Sequence, residues 1–264
     1  MDLQLNAKRA LVTGSTAGIG FAIASALAAE GAHVVLNGRT QARVNDALVR
    51  LKAAQPQANV TGIAADLSTA AGVAQLLAAC PEVDVLVNNL GIFAAVPFEA
   101  IDDSEWFRFF EVNVMSGVRL ARHYLPQMKT RDWGRIIFIS SESGVCPPAE
   151  MVHYGMTKSA QLSVSRGLAE TCVGTRVTVN AVLPGPTRTE GVGGYLEEMA
   201  RQKNISFAEM EQQLFAVARP TSILKRLIDP AEIASTVTYL CSPLSAATNG
   251  AAIHAEGGIV RSLL

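Results

Sequence analysis

The sequence predicts an α/β fold, a parallel sheet with helices on both faces, and three observations carry that reading. Strand-like and helix-like stretches alternate strictly through the N-terminal third of the chain. A glycine run, Gly14-Ser15-Thr16-Ala17-Gly18-Ile19-Gly20, sits between the first apolar stretch and the first helical one. The composition, 49% hydrophobic but only 6% aromatic over 264 residues, suits alanine-faced helices packed closely on β-branched strands. A chain of this length buries a sizeable core without disulfide staples.

In chain order, Lys8–Thr13 reads as a short buried strand and Phe21–Glu30 as a helix, apolar almost all round. The glycines between them let the backbone turn sharply and approach a ligand. The helix start offers free N–H groups and the positive end of a dipole. Three glycines placed this way point to the pyrophosphate of a dinucleotide, cradled by Gly14, Ser15, Thr16, Gly18, Ile19 and Gly20. Gly31–Arg39 is the second strand and its exit. A fold that binds NAD usually has Asp or Glu here for the ribose 2′-hydroxyl. This chain has Gly38 and then Arg39, whose guanidinium suits a 2′-phosphate, so NADP(H) is expected to be preferred, with NAD(H) second.

Residues 41–54 repeat at helical spacing, and Val60–Ala65 is a third strand with Asp66 and Leu67 at its C-terminal end. There the carboxylate is placed to accept from an adenine amino group. Thr69–Ala79 is a helix capped by Thr69 or Ser68. Val83–Val87 is a strand followed by Asn88-Asn89-Leu90-Gly91, and the alternation puts ligand-bearing loops at the strands' C-terminal ends. Asp103–Met128 reads as one long helix whose Asn113, among Val112, Val114 and Met115, needs partners for its amide.

Arg135–Ile139 is a strand that delivers Ser140 and Ser141, and Glu150–Cys172 is the next helix. Tyr154 and Lys158, four apart, share one face of it, thirteen residues and more after Ser141. An ammonium beside a phenol favours phenolate, so the tyrosine pKa is expected to fall toward the range of a general acid/base. Alone, such a pair also arises by chance. Arg176–Val182 is a strand ending in Leu183-Pro184-Gly185-Pro186-Thr187-Arg188-Thr189. Residues 190–219 change character: three early glycines, then apolar residues among charges, an insertion expected to cover a site as a mobile lid. Asp229-Pro230-Ala231-Glu232 opens a last helix and Asn249–Ile253 makes a last strand; with no linker or repeat, residues 1–264 are expected to form one domain.

A net charge of −1 with interspersed signs gives no nucleic-acid or membrane surface. There is no 18-residue apolar run and no signal-peptide pattern at the N-terminus. Cysteines at 80, 146, 172 and 241 show no metal spacing, which reads as free thiols in a reducing cytoplasm, with no metal.

Together, Thr13–Gly20, Asp66, Asn88-Asn89-Leu90-Gly91, Asn113, Ser141, Tyr154/Lys158 and Pro184-Gly185 resemble the short-chain dehydrogenase/reductase family in its compact single-domain branch, from about residue 5 onward. The resemblance implies a doubly wound, seven-stranded Rossmann sheet, usually assembled as a homotetramer or homodimer. It implies a catalytic set of Asn113, Ser141, Tyr154 and Lys158 that interconverts a ketone and a secondary alcohol by hydride transfer on a small-molecule substrate. In that scheme Tyr154 protonates the developing alkoxide and Ser141 orients the carbonyl. Lys158 bonds the nicotinamide ribose, and Asn113 anchors a water linking Lys158 to solvent. Asn89, Gly91, Pro184, Gly185, Thr187 and Thr189 would complete the cofactor site. Leu90 stands where the family most often has alanine, and Ala255-Glu256-Gly257-Gly258 replaces its usual Asp-Gly-Gly. The best-known close relatives are 3-oxoacyl-carrier-protein reductases, but the basic residue they use for the carrier is shifted here, to Arg176 inside the strand. A carrier-linked reductase and a non-catalytic nucleotide sensor on the same fold are the alternatives. Ser143, Val145, Met151 and His153 are expected at the pocket or its rim, although His153 points away from Tyr154 on the helix.

Overall fold

The computed structural model describes residues 1–263. Its sheet is built from β1 (Arg9–Val12), β2 (His33–Gly38), β3 (Val60–Ala64), β4 (Val85–Asn88), β5 (Gly134–Ile139), β6 (Val177–Pro184) and β7 (Ala252–Ala255). All six neighbouring pairs are parallel, in the order β3-β2-β1-β4-β5-β6-β7. The expected seven-stranded, doubly wound sheet is thus the one observed. Because the chain runs out to β3 and then restarts beyond β1 with β4, the connections that leave the C-terminal ends of these two central strands go to opposite faces of the sheet. A crevice opens there, the usual ligand position of such sheets.

Alternation along each strand sorts the core into two layers. Val12, Val85, Val87, Ile137 and Ile139 face one side, with α1 (Gly18–Ala29), α2 (Gln41–Ala54) and α9 (Pro230–Cys241). Leu11, Leu86, Ile136 and Phe138 face the other, with α3 (Ala70–Ala79), α5 (Ser116–Thr130) and α6 (Val152–Glu170). Caps set the helix starts. Thr40 and Thr69 each accept from a first-turn N–H, which decides for Thr69 over Ser68, and Asp229 with Glu232 forms a capping box.

The long helix expected over 103–128 departs from that reading. It is α4 (Asp103–Phe110), a π turn over Glu111–Met115 and then α5. The π turn carries Asn113, 1% exposed, whose carbonyl accepts from a side chain of α6. The insertion forms α7 (Glu190–Lys203) and α8 (Phe207–Gln213), with a small core of Leu196, Ala200, Met210, Phe215 and Leu227. Its three early glycines lie inside α7 rather than in a loop. Thr189 caps that helix by accepting from Val192 N–H.

Candidate active site

The β1–α1 turn is a backbone cradle. Gly14 and Gly18 have φ of +59° and +57°, which side-chain-bearing residues rarely adopt. A methyl at Gly20 would lie 2.4 Å from Asn89 Nδ2 and 2.6 Å from the Gly14 carbonyl. Helix α1 begins at Ala17 with no side-chain cap and no acidic residue in its first turn, so its amides are left for an anion. Ser15, fully buried, spends its hydroxyl inside the loop: it donates to Val12 O at 2.7 Å and accepts from Asn37 N–H at 2.9 Å. Its contribution to a ligand is therefore main-chain. Arg50 of α2 donates to Thr16 O and stacks 4.6 Å over the Phe21 ring, bracing the same turn.

The two sides of the crevice are stitched by Thr13 and Asn89. Thr13 Oγ1 accepts from Asn89 N–H at 2.9 Å and from Leu90 N–H at 2.9 Å, and Asn89 Nδ2 donates to Thr13 O and Gly14 O. Arg39, exposed at the exit of β2, makes no hydrogen bond or ion pair among the described residues. Asp66 accepts from the Ser68 N–H and hydroxyl on one oxygen, while the Leu67 side chain is buried in the core, leaving its main chain for contact. Uncapped amides, glycines where a side chain would crowd the turn, and a guanidinium with no partner among the described residues fit a phosphorylated dinucleotide.

Across the crevice, β5 ends at Ser140 and Ser141. Ser140 Oγ donates to Lys158 O at 2.9 Å, tying the strand to α6. Ser141 Oγ donates to Glu142 Oε2 at 2.5 Å, and Glu142 pairs through Oε1 with Arg219 Nε at 3.1 Å. That pair is nearly dry, with side-chain exposures of 6% and 12%. Lys158 Nζ donates to Ile139 O at 2.9 Å and Gln161 Oε1 at 3.2 Å and sits 5.5 Å from the Tyr154 ring centroid. Gly91 borders it, since a methyl there would lie in contact with Nζ at 3.4 Å. Asn113 Oδ1 accepts from Ile92 N–H at 2.8 Å, and its Nδ2 donates to Ile92 O and to Thr157 Oγ1.

The expected fall in the Tyr154 pKa is not found. Burial, and next the Glu142 carboxylate, push the phenol above its ordinary value, against smaller opposite effects of Ser141 and Arg219. Burial pushes the Lys158 ammonium down to about 8, with Glu142 opposing. Lys158 Nζ is committed to Ile139 O and Gln161 Oε1, and the desolvation of the phenol prevails.

Tyr154, Lys158, Ser141, Asn89, Gly91 and Ile19 meet Pro184, Gly185, Thr187 and Thr189 in one cleft of about 810 Å³. Its outer wall is apolar and comes largely from the insertion, including Tyr195, Met199, Leu214 and Val217, with Phe93 edge-on to Tyr154 at 6.5 Å between centroids. Gly14, Ser15, Thr16, Gly18, Gly20, Arg39, Asp66 and Leu67 lie outside this cleft, along the strand ends toward β3. Of the four rim residues expected, Ser143 and Met151 line the cleft; Val145 and His153 do not. Val145 points to solvent. His153 is fully buried against Phe109, 4.0 Å between ring centroids, because the position before Tyr154 faces α4. Glu142, Gln161 and Arg219 escaped the sequence reading. Only Gln161, three positions after Lys158 on the same helix face, had a local signal. A second concavity, about 720 Å³ beside Thr221 and Arg261, holds none of these groups. Among the described residues no acidic, His or Cys cluster fit for a metal ion occurs, and no helix is long and apolar enough to cross a membrane.

Residues 8–200 match the family model described as short chain dehydrogenase. Over the full length of both chains, 54% of residues are identical to an uncharacterized oxidoreductase, YvaG, of Bacillus subtilis. D-beta-hydroxybutyrate dehydrogenase of Cupriavidus necator is 32% identical, with 97% of this chain and 99% of that protein covered. The crystal structure of L-sorbose reductase from Gluconobacter frateurii, complexed with NADPH and L-sorbose, superposes with a TM-score of 0.92 at 32% identity, covering 100% of both chains.

Proposed function

Since this chain belongs to the short-chain dehydrogenase/reductase family of oxidoreductases, we propose that it interconverts a small-molecule ketone and secondary alcohol with NADP(H), Tyr154 serving as general acid and base. The observation that carries the reading is the meeting of Tyr154, Lys158 and Ser141 in one cleft at the switch point, opposite the glycine cradle. The nicotinamide cofactor supplies or accepts the hydride when bound. Gly14, Thr16, Gly18, Ile19 and Gly20 would hold its pyrophosphate, and Arg39 its 2′-phosphate. Asp66 and Leu67 would meet the adenine end. Asn89, Gly91, Pro184, Gly185, Thr187 and Thr189 would enclose the nicotinamide end.

Within the cleft Tyr154 gives its proton to the oxygen of the developing alkoxide, and a phenol held protonated by burial and Glu142 suits that direction. Lys158 holds the ribose and offsets the charge left on the phenolate. Ser141 swings its hydroxyl from Glu142 to the carbonyl oxygen, fixing the face presented to the hydride. The apolar wall of the insertion excludes water from the transfer. Sorbose and hydroxybutyrate relatives support a small oxygenated substrate. A carrier-linked 3-oxoacyl reductase gains no support from Arg176, whose guanidinium is taken by Asp132 at 2.9 Å. A homotetramer or homodimer in the cytoplasm belongs to the same proposal, supported by exposed Phe98, Phe107 and Phe110 and by four unpaired cysteines.

The test is Tyr154→Phe, which keeps the ring and removes the proton. Across a carbonyl panel followed by NADPH absorbance, turnover is expected to drop by roughly 10²–10⁴-fold while cofactor affinity stays within a few-fold. Turnover within threefold of wild type, on any substrate wild type uses, overturns the assignment.

A further inference from the structure

Gln161 is 2% exposed, one turn beyond Lys158 on α6, and both ends of its amide are engaged. Oε1 accepts from Lys158 Nζ at 3.2 Å, and Nε2 donates to the main-chain carbonyl of Asn113 at 2.6 Å. The orientation of this amide is settled by chemistry. An ammonium only donates and a carbonyl only accepts, so the flipped amide would face both with the wrong group. The π turn over Glu111–Met115 brings that carbonyl to the lysine's helix. Resemblance alone leads one to expect a water on Asn113 as the lysine's link to solvent. Here a side chain takes that carbonyl and connects directly to the ammonium.

We propose that Gln161 is a positioning residue for Lys158, a fixed amide bridge from the Asn113 carbonyl that holds the ammonium charged and aimed into the cleft. An amide does not hand protons along as a hydroxyl or water does. Gln161 therefore fixes the ammonium's position without itself relaying a proton. The titratable groups facing the ammonium are Tyr154, on its own helix, and Glu142, from the segment after β5. The β4 loop and the π turn present only Gly91 and Asn113 to it, and β5 presents the Ile139 carbonyl. With so few charges nearby, one neutral acceptor weighs heavily in the lysine's titration.

The inference rests on the proposed role of Lys158, so its test is read in the cofactor-free protein by a signal that does not depend on turnover. Side-chain NMR of isotopically labelled lysine, with Lys158 assigned by its loss in Lys158→Arg, gives the ammonium's titration midpoint. Gln161→Met keeps the length and removes the acceptor; the midpoint is expected to fall by about one unit from wild type. Gln161→Glu substitutes a charged acceptor and is expected to raise it by a similar amount. In turnover assays the high-pH limb should move the same way in each variant, while Tyr154→Phe lowers turnover without moving the Lys158 midpoint downward. Equal midpoints in wild type and both variants overturn the bridge even if turnover confirms the family reaction. Should Gln161→Met fail to fold, the midpoint of Gln161→Glu decides alone: an upward shift supports the bridge, an unchanged midpoint overturns it. A reading of Gln161 as mere packing predicts no opposite shifts.

Discussion

At the scale of single residues, the buried polar groups carry the sharpest consequences. His153 is fully buried, and neither ring nitrogen has a partner among the described residues. It is packed tilted on Phe109 and edge-on to Trp106 at 6.0 Å between centroids. Burial lowers its pKa from 6.5, Arg108 adds to the lowering, and Glu105 opposes it. The folded state thus holds the neutral imidazole, while the unfolded chain takes up a proton below 6.5. The stability this contributes is complete above pH 6.5 and is lost as pH falls through the depressed folded value. His153→Phe should be at least as stable at pH 7, because it deletes two unsatisfied nitrogens and keeps an aromatic contact. Its melting temperature should also decline less than wild type between pH 6.5 and 5. Parallel pH profiles for the two proteins would show that His153 does not titrate on unfolding. Residues of this kind mark the limit of reading from sequence. Tyr154 and Lys158 were legible because one helix repeat places both, and Arg39 because its position after a strand has a meaning. Glu142 meets Arg219 from 77 residues away, and Gln161 meets Asn113 from 48; the spacing of Gln161 from Lys158 is local, but neither long-range meeting has a pattern to announce it.

At the scale of elements, the insertion supplies much of the cleft's outer wall. The amphipathic composition of 190–219 leads one to expect a cover, and Tyr195, Met199, Leu214 and Val217 of that stretch line the cleft. The π turn between α4 and α5 was not legible, since local propensity over that stretch is simply helical and the extra residue serves a distant side chain. Gly191, Gly193 and Gly194 lie in the first turns of α7, each costing about 1 kcal/mol of helix propensity relative to alanine. That start is the easiest part of the cover to open. The far end is held by Arg219 on Glu142 and Glu150, and by Arg188 on Glu211. We expect amide exchange across 190–219 to slow sharply when NADP(H) and a substrate or inhibitor are both present. In free Arg219→Ala, residues 207–219 should exchange at least about tenfold faster than in wild type, because Glu142 is left buried without its counter-charge. If the free wild-type segment is already as protected as the sheet, and ligands change nothing, the insertion is a fixed wall.

At the scale of the whole molecule, the two cores share one sheet, and the first of them joins the chain's beginning to its end, from Leu5 to Cys241. α1 and α9 pack directly on one another. We therefore propose that residues 1–264 unfold as one cooperative domain, with the insertion's small core tied in through Leu227. Trp106, beside the buried His153, and Trp133, at the foot of β5, should report the same urea midpoint as backbone circular dichroism. Cooperativity makes the entire transition a gauge of cofactor binding, since a ligand at 100 times its Kd adds about 2.7 kcal/mol to the folded state. Arg39 has no partner among the described residues at the exit of β2, with no carboxylate at 37 or 38 to repel a phosphate. A charge-assisted contact to the 2′-phosphate should tighten NADPH over NADH roughly tenfold or more. At equal concentrations NADPH should then shift the midpoint further than NADH. In Arg39→Ala the NADPH shift should shrink to the size of the NADH shift, while the ligand-free midpoint stays put because the side chain holds nothing else. Equal shifts with both cofactors in wild type, or an undiminished gap in the variant, would move the phosphate away from Arg39 and take the NADP(H) preference with it.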